Sequence, residues 1–218
     1  MWLSSYELLA YGDLGVYPPQ SKPYGLTYGQ WVGKWWQWAL SLPNPVNPMA
    51  DKSGANCAES QQGPVWFLAG TVGGAANRAC SVPFGKAILL NILSTECSKA
   101  ENPKDSPADL LQCAKEQDDG GVVRISASVD GTDIKNLKMY RFQSPVFPVT
   151  FPVNDVFGVS SDKPVPTISV ADGWYVMLKP LSPGAHVIHL FGQNLPPPNS
   201  ANQPYTTEVT YHINVPKS

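Results

Sequence analysis

Charge is scarce in this chain: Asp, Glu, Lys and Arg make up 15% of its 218 residues, and the formal net charge is −2. Without a basic surplus there is no electrostatic basis for nucleic acid, or for an acidic membrane surface, as a partner. Histidine is scarcer still, with three residues. Neither GxSxG nor HExxH occurs, and Ser160-Ser161-Asp162-Lys163 fits S-x-x-K only in a proline-flanked stretch that lacks the helix needed to aim the lysine. The glycine-rich AGTVGGAANR (69–78) matches neither a Walker loop nor GxGxxG, and predicts a hairpin loop. There is no N-x-[ST] sequon and no apolar run long enough to span a bilayer. The opening MWLSSYELLAYGD lacks the basic region and apolar core of a signal peptide, so a mature form is expected.

What is present is punctuation and sulfur. Proline (22) and glycine (18) are both abundant and interrupt apolar runs without clustering, which favours many short strands. The four cysteines, Cys57, Cys80, Cys97 and Cys113, show no CxxC spacing and no interleaved histidine, so a zinc site is not their arrangement. Two disulfides are expected. Of the three connectivities, Cys57–Cys80 and Cys97–Cys113 are preferred, because each encloses a loop-rich segment in need of a tether. Such a bond stabilises by roughly 3 kcal/mol in the chain-entropy model. Disulfides imply an oxidising compartment, and hence a secreted, periplasmic or cell-surface protein.

The densest feature is YGQWVGKWWQWALSLP (28–43), with four tryptophans in eight positions. Thr27 and Gln30 form a T-x-x-Q capping box, Leu26 and Trp31 are placed as its hydrophobic staple, and Pro43 ends the helix, predicted over 27–42. At 100° per residue, Tyr28, Trp31, Val32, Trp35, Trp38, Ala39 and Leu42 form one stripe roughly 120° wide, opposite Gln30, Lys34, Gln37 and Ser41. Three indoles therefore face a core. Trp36 projects beside the stripe with Gly29, Gly33 and Leu40, where bare backbone admits a close neighbour, more readily another part of this chain than a ligand. A membrane role is weak, because Lys34 is the lone base on the polar face.

Around this helix the chain alternates strands and turns. Residues 1–26 predict an extended arm, and 43–64 a long structured loop leading into VWFLAGT. Strands follow at 80–82 and in KAILLNIL, whose continuous apolar character predicts a central position. The charged stretch 98–120 predicts an insertion with a short helix at 107–117, capped by Ser106 and Asp109. VVRISASV and IKNLKMYRF flank Asp130-Gly131 as a hairpin. VFPVTF, PTISV, WYVMLK, AHVIHLF and TTEVTYHINV complete the series. In the last of these Val209, Tyr211, Ile213 and Val215 face inward. The expected fold is mainly β: an antiparallel β-sandwich, immunoglobulin-like or jelly-roll-like, forming a single domain over 27–218.

The runs YGLTYGQWVGKWWQWALSLPNPVNP, QQGPVWFLAGTVGG and RACSVPFGKAILL, with SVDGTDIKNLKMYRFQSPVF and ADGWYVMLKPLSPGAHVIHLFG, resemble a family of uncharacterised exported bacterial proteins. The likeness covers most of residues 24–215. It implies export and carries no activity or catalytic residue. LSPGAHVIHLFG is also similar to the closing strands of immunoglobulin-like modules.

Three kinds of site are candidates. His186 and His212 come opposite one another if the last two strands pair about residue 199. With Glu208 on the same face they would form a Zn or Cu site. Asp51 and Glu59, with Arg78 and Lys86 as charge partners, are the carboxylates available for acid–base hydrolysis. Trp36, Trp66, Trp174 and Tyr175 are candidate rings for stacking on a sugar. Trp174 is expected at an exposed turn after Asp172-Gly173, although rings in strands are more often core. The expected function is an extracellular binding protein, for a carbohydrate or other ligand, or a self-assembling surface protein. The alternative is a metal-dependent or acid/base hydrolase. The observation to seek is a pocket joining Trp36 to a titratable group.

Overall fold

In a computed structural model of the protein, residues 15–119, 122–196 and 203–217 are described, residues 118 and 122 by their backbone alone. Their strands form two five-stranded sheets. The first is ordered β1 (Val65–Leu68), β3 (Ala87–Ser98), β8 (Val165–Leu178) and β6 (Arg141–Gln143), with β7 (Phe147–Phe151) also paired to β8. The second is ordered β2 (Gly74–Ser81), β10 (Tyr205–Val215), β9 (Gly184–Leu195), β4 (Val122–Val129) and β5 (Thr132–Asp133). The mainly β sandwich expected from the sequence is thus the fold. Val209, Tyr211, Ile213 and Val215 of β10 are buried while Glu208, His212 and Asn214 are exposed, as strand alternation requires. The run Ala87–Leu93 is buried throughout, consistent with its place between β1 and β8. Side chains of both sheets share one core, and Gly192 lets them approach. A Cβ there would lie 2.5 Å from the Ile92 carbonyl oxygen.

The sheets are mixed, where a purely antiparallel arrangement was expected. β1 runs parallel to β3, and β2 parallel to β10. The reason lies in the path of the chain. β1 belongs to the first sheet, β2 to the second and β3 to the first again, so the chain crosses the sandwich and returns before β3 meets β1. The segment after β1, predicted as a hairpin loop, is therefore a crossover between sheets.

Two further strand expectations change. Asp130 (φ 50°) and Gly131 (φ 76°) make the left-handed turn that their sequence predicts. The returning strand, however, lasts only through β5, and the chain then passes a 3-10 turn at Leu137–Tyr140 to join the other sheet as β6. Asp172-Gly173, predicted as a turn, lies inside the uninterrupted β8. Gly173 is required there because a Cβ would come within 2.3 Å of the Ser94 Cβ and 2.4 Å of the Leu93 carbonyl oxygen.

The tryptophan helix α1 spans Tyr28–Leu40 with the predicted capping box formed in both directions. Every residue of its predicted stripe is buried. Its glycine side lies against the strand edge, where a Cβ on Gly29 would sit 2.4 Å from the Gln143 carbonyl oxygen and one on Gly33 3.4 Å from Phe147. The second helix, α2 (Pro107–Asp119), starts at Ser106, whose hydroxyl and N–H both donate to Asp109. Leu110 and Ala114 pack on Cys97 and Val170 as a small second core. Both predicted disulfides are present, Cys57–Cys80 and Cys97–Cys113. Of the predicted arm, residues 1–14 lie outside the described residues. The remainder runs along β8, with Tyr17 N donating to Met177 O at 2.9 Å. Among the described residues, no helix is long and apolar enough to cross a membrane.

Candidate functional site

The indoles sort themselves by what their N–H groups reach. Trp31 Nε1 donates to Pro23 O (2.9 Å), Trp35 Nε1 to Leu68 O (3.2 Å) and Trp38 Nε1 to Glu59 O (2.9 Å). The three core-facing tryptophans thus tie the arm, β1 and the long loop to one helix. Trp36, Trp66 and Trp174 have buried Nε1 atoms with no acceptor among the described residues. None of these rings is an open platform, since Trp36 is 4% exposed, Trp66 and Trp174 are each 7% exposed, and Tyr175 is fully enclosed. The expected exposure of Trp174 fails because β8 continues through it. Its ring is instead covered by the Arg141 guanidinium, 4.9 Å from the centroid. The Tyr175 hydroxyl donates to Ser94 Oγ (2.9 Å) and accepts from Asn91 Nδ2 (2.9 Å), so it belongs to a hydrogen-bonded network of the core.

Trp36 differs from the other two in its surroundings. It lines a cleft of about 360 Å³ at one end of the sandwich, between the first sheet and the facing ends of β9 and β10. The apolar walls include Trp36, Phe157 and Tyr205, and the polar ones Asn194, Gln203 and Glu96. Phe157 (45% exposed) and Val72 (47% exposed) stand open at its rim. The Trp36 and Phe157 rings lie 6.4 Å apart, tilted by 38°. Asn194 donates through Nδ2 to Gln117 O, while its buried Oδ1 has no donor among the described residues. A buried donor and a buried acceptor thus lie unmatched at one cleft, each at a cost of about 1–3 kcal/mol unless something supplies the bond. Among the described residues, no Lys, Arg or His lines it.

Glu96 is a buried titratable group that shares this cleft with Trp36. Alternation along β3 directs Cys97 to α2, through its disulfide, and Glu96 to the other face, where Ser169 Oγ donates to Oε1. Burial, and then the charge of Glu101, push the Glu96 carboxyl up to about 8 against the pull of the Ser169 bond. Glu101 Oε2 accepts from Ser98 N (3.1 Å) and Ser98 Oγ (2.7 Å), which fixes it just beyond the end of β3. A carboxylate embedded in an otherwise apolar and hydroxyl-bearing strand, ILLNILSTECS, is the signal by which sequence reading could have found Glu96.

The expected metal site is not assembled. β9 and β10 pair His186 with Ile213 and His212 with Val187, one residue away from the predicted register. A one-residue slip reverses faces, so His186 points inward with Ile188 while His212 points out. Glu208 meets His189 instead (3.1 Å). Among the described residues no three of His, Cys, Asp and Glu come together as metal ligands.

His186 has other company. Its Nδ1 lies 2.7 Å from Asp130 Oδ2, and its Nε2 3.4 Å from Ser182 Oγ, an order of groups that suggests a catalytic triad. The same Nε2 lies 2.9 Å from the Ser182 carbonyl oxygen, which can only accept. Both ring nitrogens therefore hold protons, and no base remains for the hydroxyl. Burial alone would lower the His186 pKa, but Asp130 and this carbonyl overcome it and raise it. The S-x-x-K match is likewise structural, with Ser160 Oγ donating to the Lys163 carbonyl.

The proposed acid–base pair in the long loop is also accounted for. Asp51 accepts from Ser53 N, Ser53 Oγ and Asn56 N, each at 2.8 Å. Partial burial opposes ionisation, yet these bonds prevail and lower its pKa, so it is a saturated carboxylate that organises the loop. Glu59 is exposed and accepts from Ser60 Oγ, and Lys86 donates to Gly63 O. Arg78 partners neither carboxylate. Its guanidinium is 1% exposed and donates to Asp51 O (2.7 Å), Ala69 O (2.7 Å), Gly70 O (3.0 Å), Met49 O (3.4 Å) and the Tyr211 hydroxyl (2.7 Å).

No family model matches this chain, and no curated protein matches it. Among solved structures, a cysteine protease inhibitor from Entamoeba histolytica is similar at 13% identity, covering 65% of this chain and 88% of that one, with a TM-score of 0.20. A likeness that low carries no argument about fold or activity.

Proposed function

We propose that this is an exported binding protein whose cleft at Trp36 takes a neutral, hydroxyl-rich ligand, the end of a saccharide chain being the class that fits best. One observation carries this reading: Trp36 and Asn194 line the same aromatic-rimmed cleft, and behind its surface the Trp36 N–H and the Asn194 Oδ1 are buried without partners among the described residues. A hydroxyl is both donor and acceptor, so a polyol is the ligand class able to serve both atoms once the Trp36 and Asn194 side chains turn toward it, while its C–H faces pack on Phe157 and Tyr205. The absence of a basic side chain from the described lining disfavours phosphate and carboxylate ligands. The two disulfides, and the resemblance of the chain to exported bacterial proteins, support an oxidising extracytoplasmic location.

Retardation on polysaccharide affinity gels tests the proposal. Phe157→Ala, on an exposed ring, is expected to weaken binding about tenfold with little loss of stability, in line with roughly 1–3 kcal/mol for a stacked ring. Trp36→Phe, which keeps a ring but removes the N–H, is expected to do the same. Unretarded wild-type protein across β-glucan, α-glucan, chitin and xylan gels would refute the saccharide assignment. Chromatographic detection of shortened oligosaccharides would replace binding with hydrolysis.

A further inference from the structure

The cleft holds a buried acid, Glu96, and among the described residues no cation lines it to balance the charge. Among the described residues, only Ser169 meets the Glu96 carboxyl, at Oε1. Ser169 Oγ has a single proton and lies within reach of Cys97 O (3.1 Å) as well. The charged group that acts on Glu96 is Glu101, an anion, and Gln117 of α2, which also lines the cleft, is neutral and lies against the Cys97–Cys113 sulfurs. Arg141, on β6, pairs with Asp172 and Asp119. Asp172 is opposite Thr95 in the β3–β8 ladder, and so on the other face from Glu96. An ionised Glu96 would therefore stand largely buried beside a like charge, with one hydroxyl as its protein partner among the described residues. The carboxyl is a donor in this setting, and it lines the same cleft as Trp36 and Asn194.

We propose that Glu96 enters the cleft as a carboxylic acid and donates a hydrogen bond to a ring or glycosidic oxygen of the ligand, which can only accept, so that the ligand is held only while that proton is in place. This rests on the saccharide reading of the cleft and adds to it both a specificity-determining residue and a proton dependence. A donor of this kind selects ligands that present an acceptor oxygen. Ionisation reverses its role and places a negative charge against that oxygen. The raised carboxyl, at about 8, sets the range in which this reversal falls.

The test titrates the whole protein with cellotriose, maltotriose, chitotriose and xylotriose by calorimetry at pH 6, 7, 8 and 9.5. For the tightest of these, the wild-type Kd is expected to be flat to about pH 7.5 and at least tenfold weaker by pH 9.5. Glu96→Gln keeps a donor without a titrating proton. It is expected to bind within about threefold of wild type at pH 6 and to lose the pH dependence. Glu101→Gln removes the neighbouring charge and is expected to shift the wild-type midpoint downward. Wild-type binding that is unchanged to pH 9.5, or a full pH dependence retained by Glu96→Gln, overturns the role of Glu96 and leaves the cleft reading standing. No binding of any trisaccharide at any pH overturns both. Circular dichroism at each pH separates ligand release from unfolding.

Discussion

Each disulfide has a buried ionisable side chain beside it, and the two are treated in opposite ways. Arg78, two residues before Cys80, spends its guanidinium donors on four backbone carbonyls and the Tyr211 hydroxyl. It thereby joins the long loop, the crossover after β1 and β10 at one point. Glu96, adjacent to Cys97, has Ser169 alone among the described residues and faces a cleft. A buried cation fully supplied with acceptors is a structural rivet. A buried acid left with a free oxygen at a concave surface is a group available to something else. Satisfaction of hydrogen bonds, more than burial, separates scaffold from site here.

The sharpest way to break that contrast is Arg78→Met, which leaves four carbonyls and a phenol facing a side chain that cannot donate. A loss of about 3–5 kcal/mol is expected in urea unfolding, the range for breaking a buried charged network. A loss under about 1 kcal/mol would mean that the loop is held by the disulfide alone.

The disulfides give a second comparison. Their sequence separations are 23 and 16, so chain entropy alone makes them nearly equal, differing by about 0.3 kcal/mol. The native surroundings differ far more. Cys57 and Cys80 belong to the main core, whereas Cys97 and Cys113 join a small cluster under α2. Replacing both cysteines by serine is expected to cost about 4–5 kcal/mol at 57 and 80 but nearer 2 kcal/mol at 97 and 113. Equal losses in calorimetry would assign the effect to the unfolded chain.

The last comparison concerns Glu96 without any ligand. Its folded carboxyl keeps a proton between about 4.5 and about 8, where the unfolded chain has released it. Wild-type stability therefore falls as pH rises through this window. Glu96→Gln lacks that penalty, so its melting temperature should match wild type near pH 4 and exceed it increasingly up to pH 8.5. Equal melting temperatures at pH 8.5 would show Glu96 to be well solvated.

Much of the scaffold was legible because its signals are local. Thr27 and Gln30 announce a helix start through bonds three residues apart, Asp130-Gly131 announces a turn through its own backbone preferences, and β10 declares its buried face by alternation. The errors share a different character. His186 and His212 were matched by assuming a hairpin centre, and half a residue in that centre moves a side chain to the opposite face. Asp172-Gly173 has the composition of a turn, yet Gly173 is there to let β3 pass closely. The crossover at 69–73 looks like a hairpin because sequence does not say which sheet the next strand joins. Trp36 was singled out by its place off the stripe, whereas Glu96 and Arg78 were not recognised for what they do.

By itself, then, the sequence determined the elements, the cysteine pairing and the inward turn of three indoles, since period, capping and chain-local loop closure are encoded over a few residues. Only the tertiary structure decided which ionisable groups are supplied and which are left wanting. Partners for Arg78 arrive from as far as Tyr211, and the walls of the cleft come from both sheets. Such meetings depend on register and crossing, which no short stretch of chain contains.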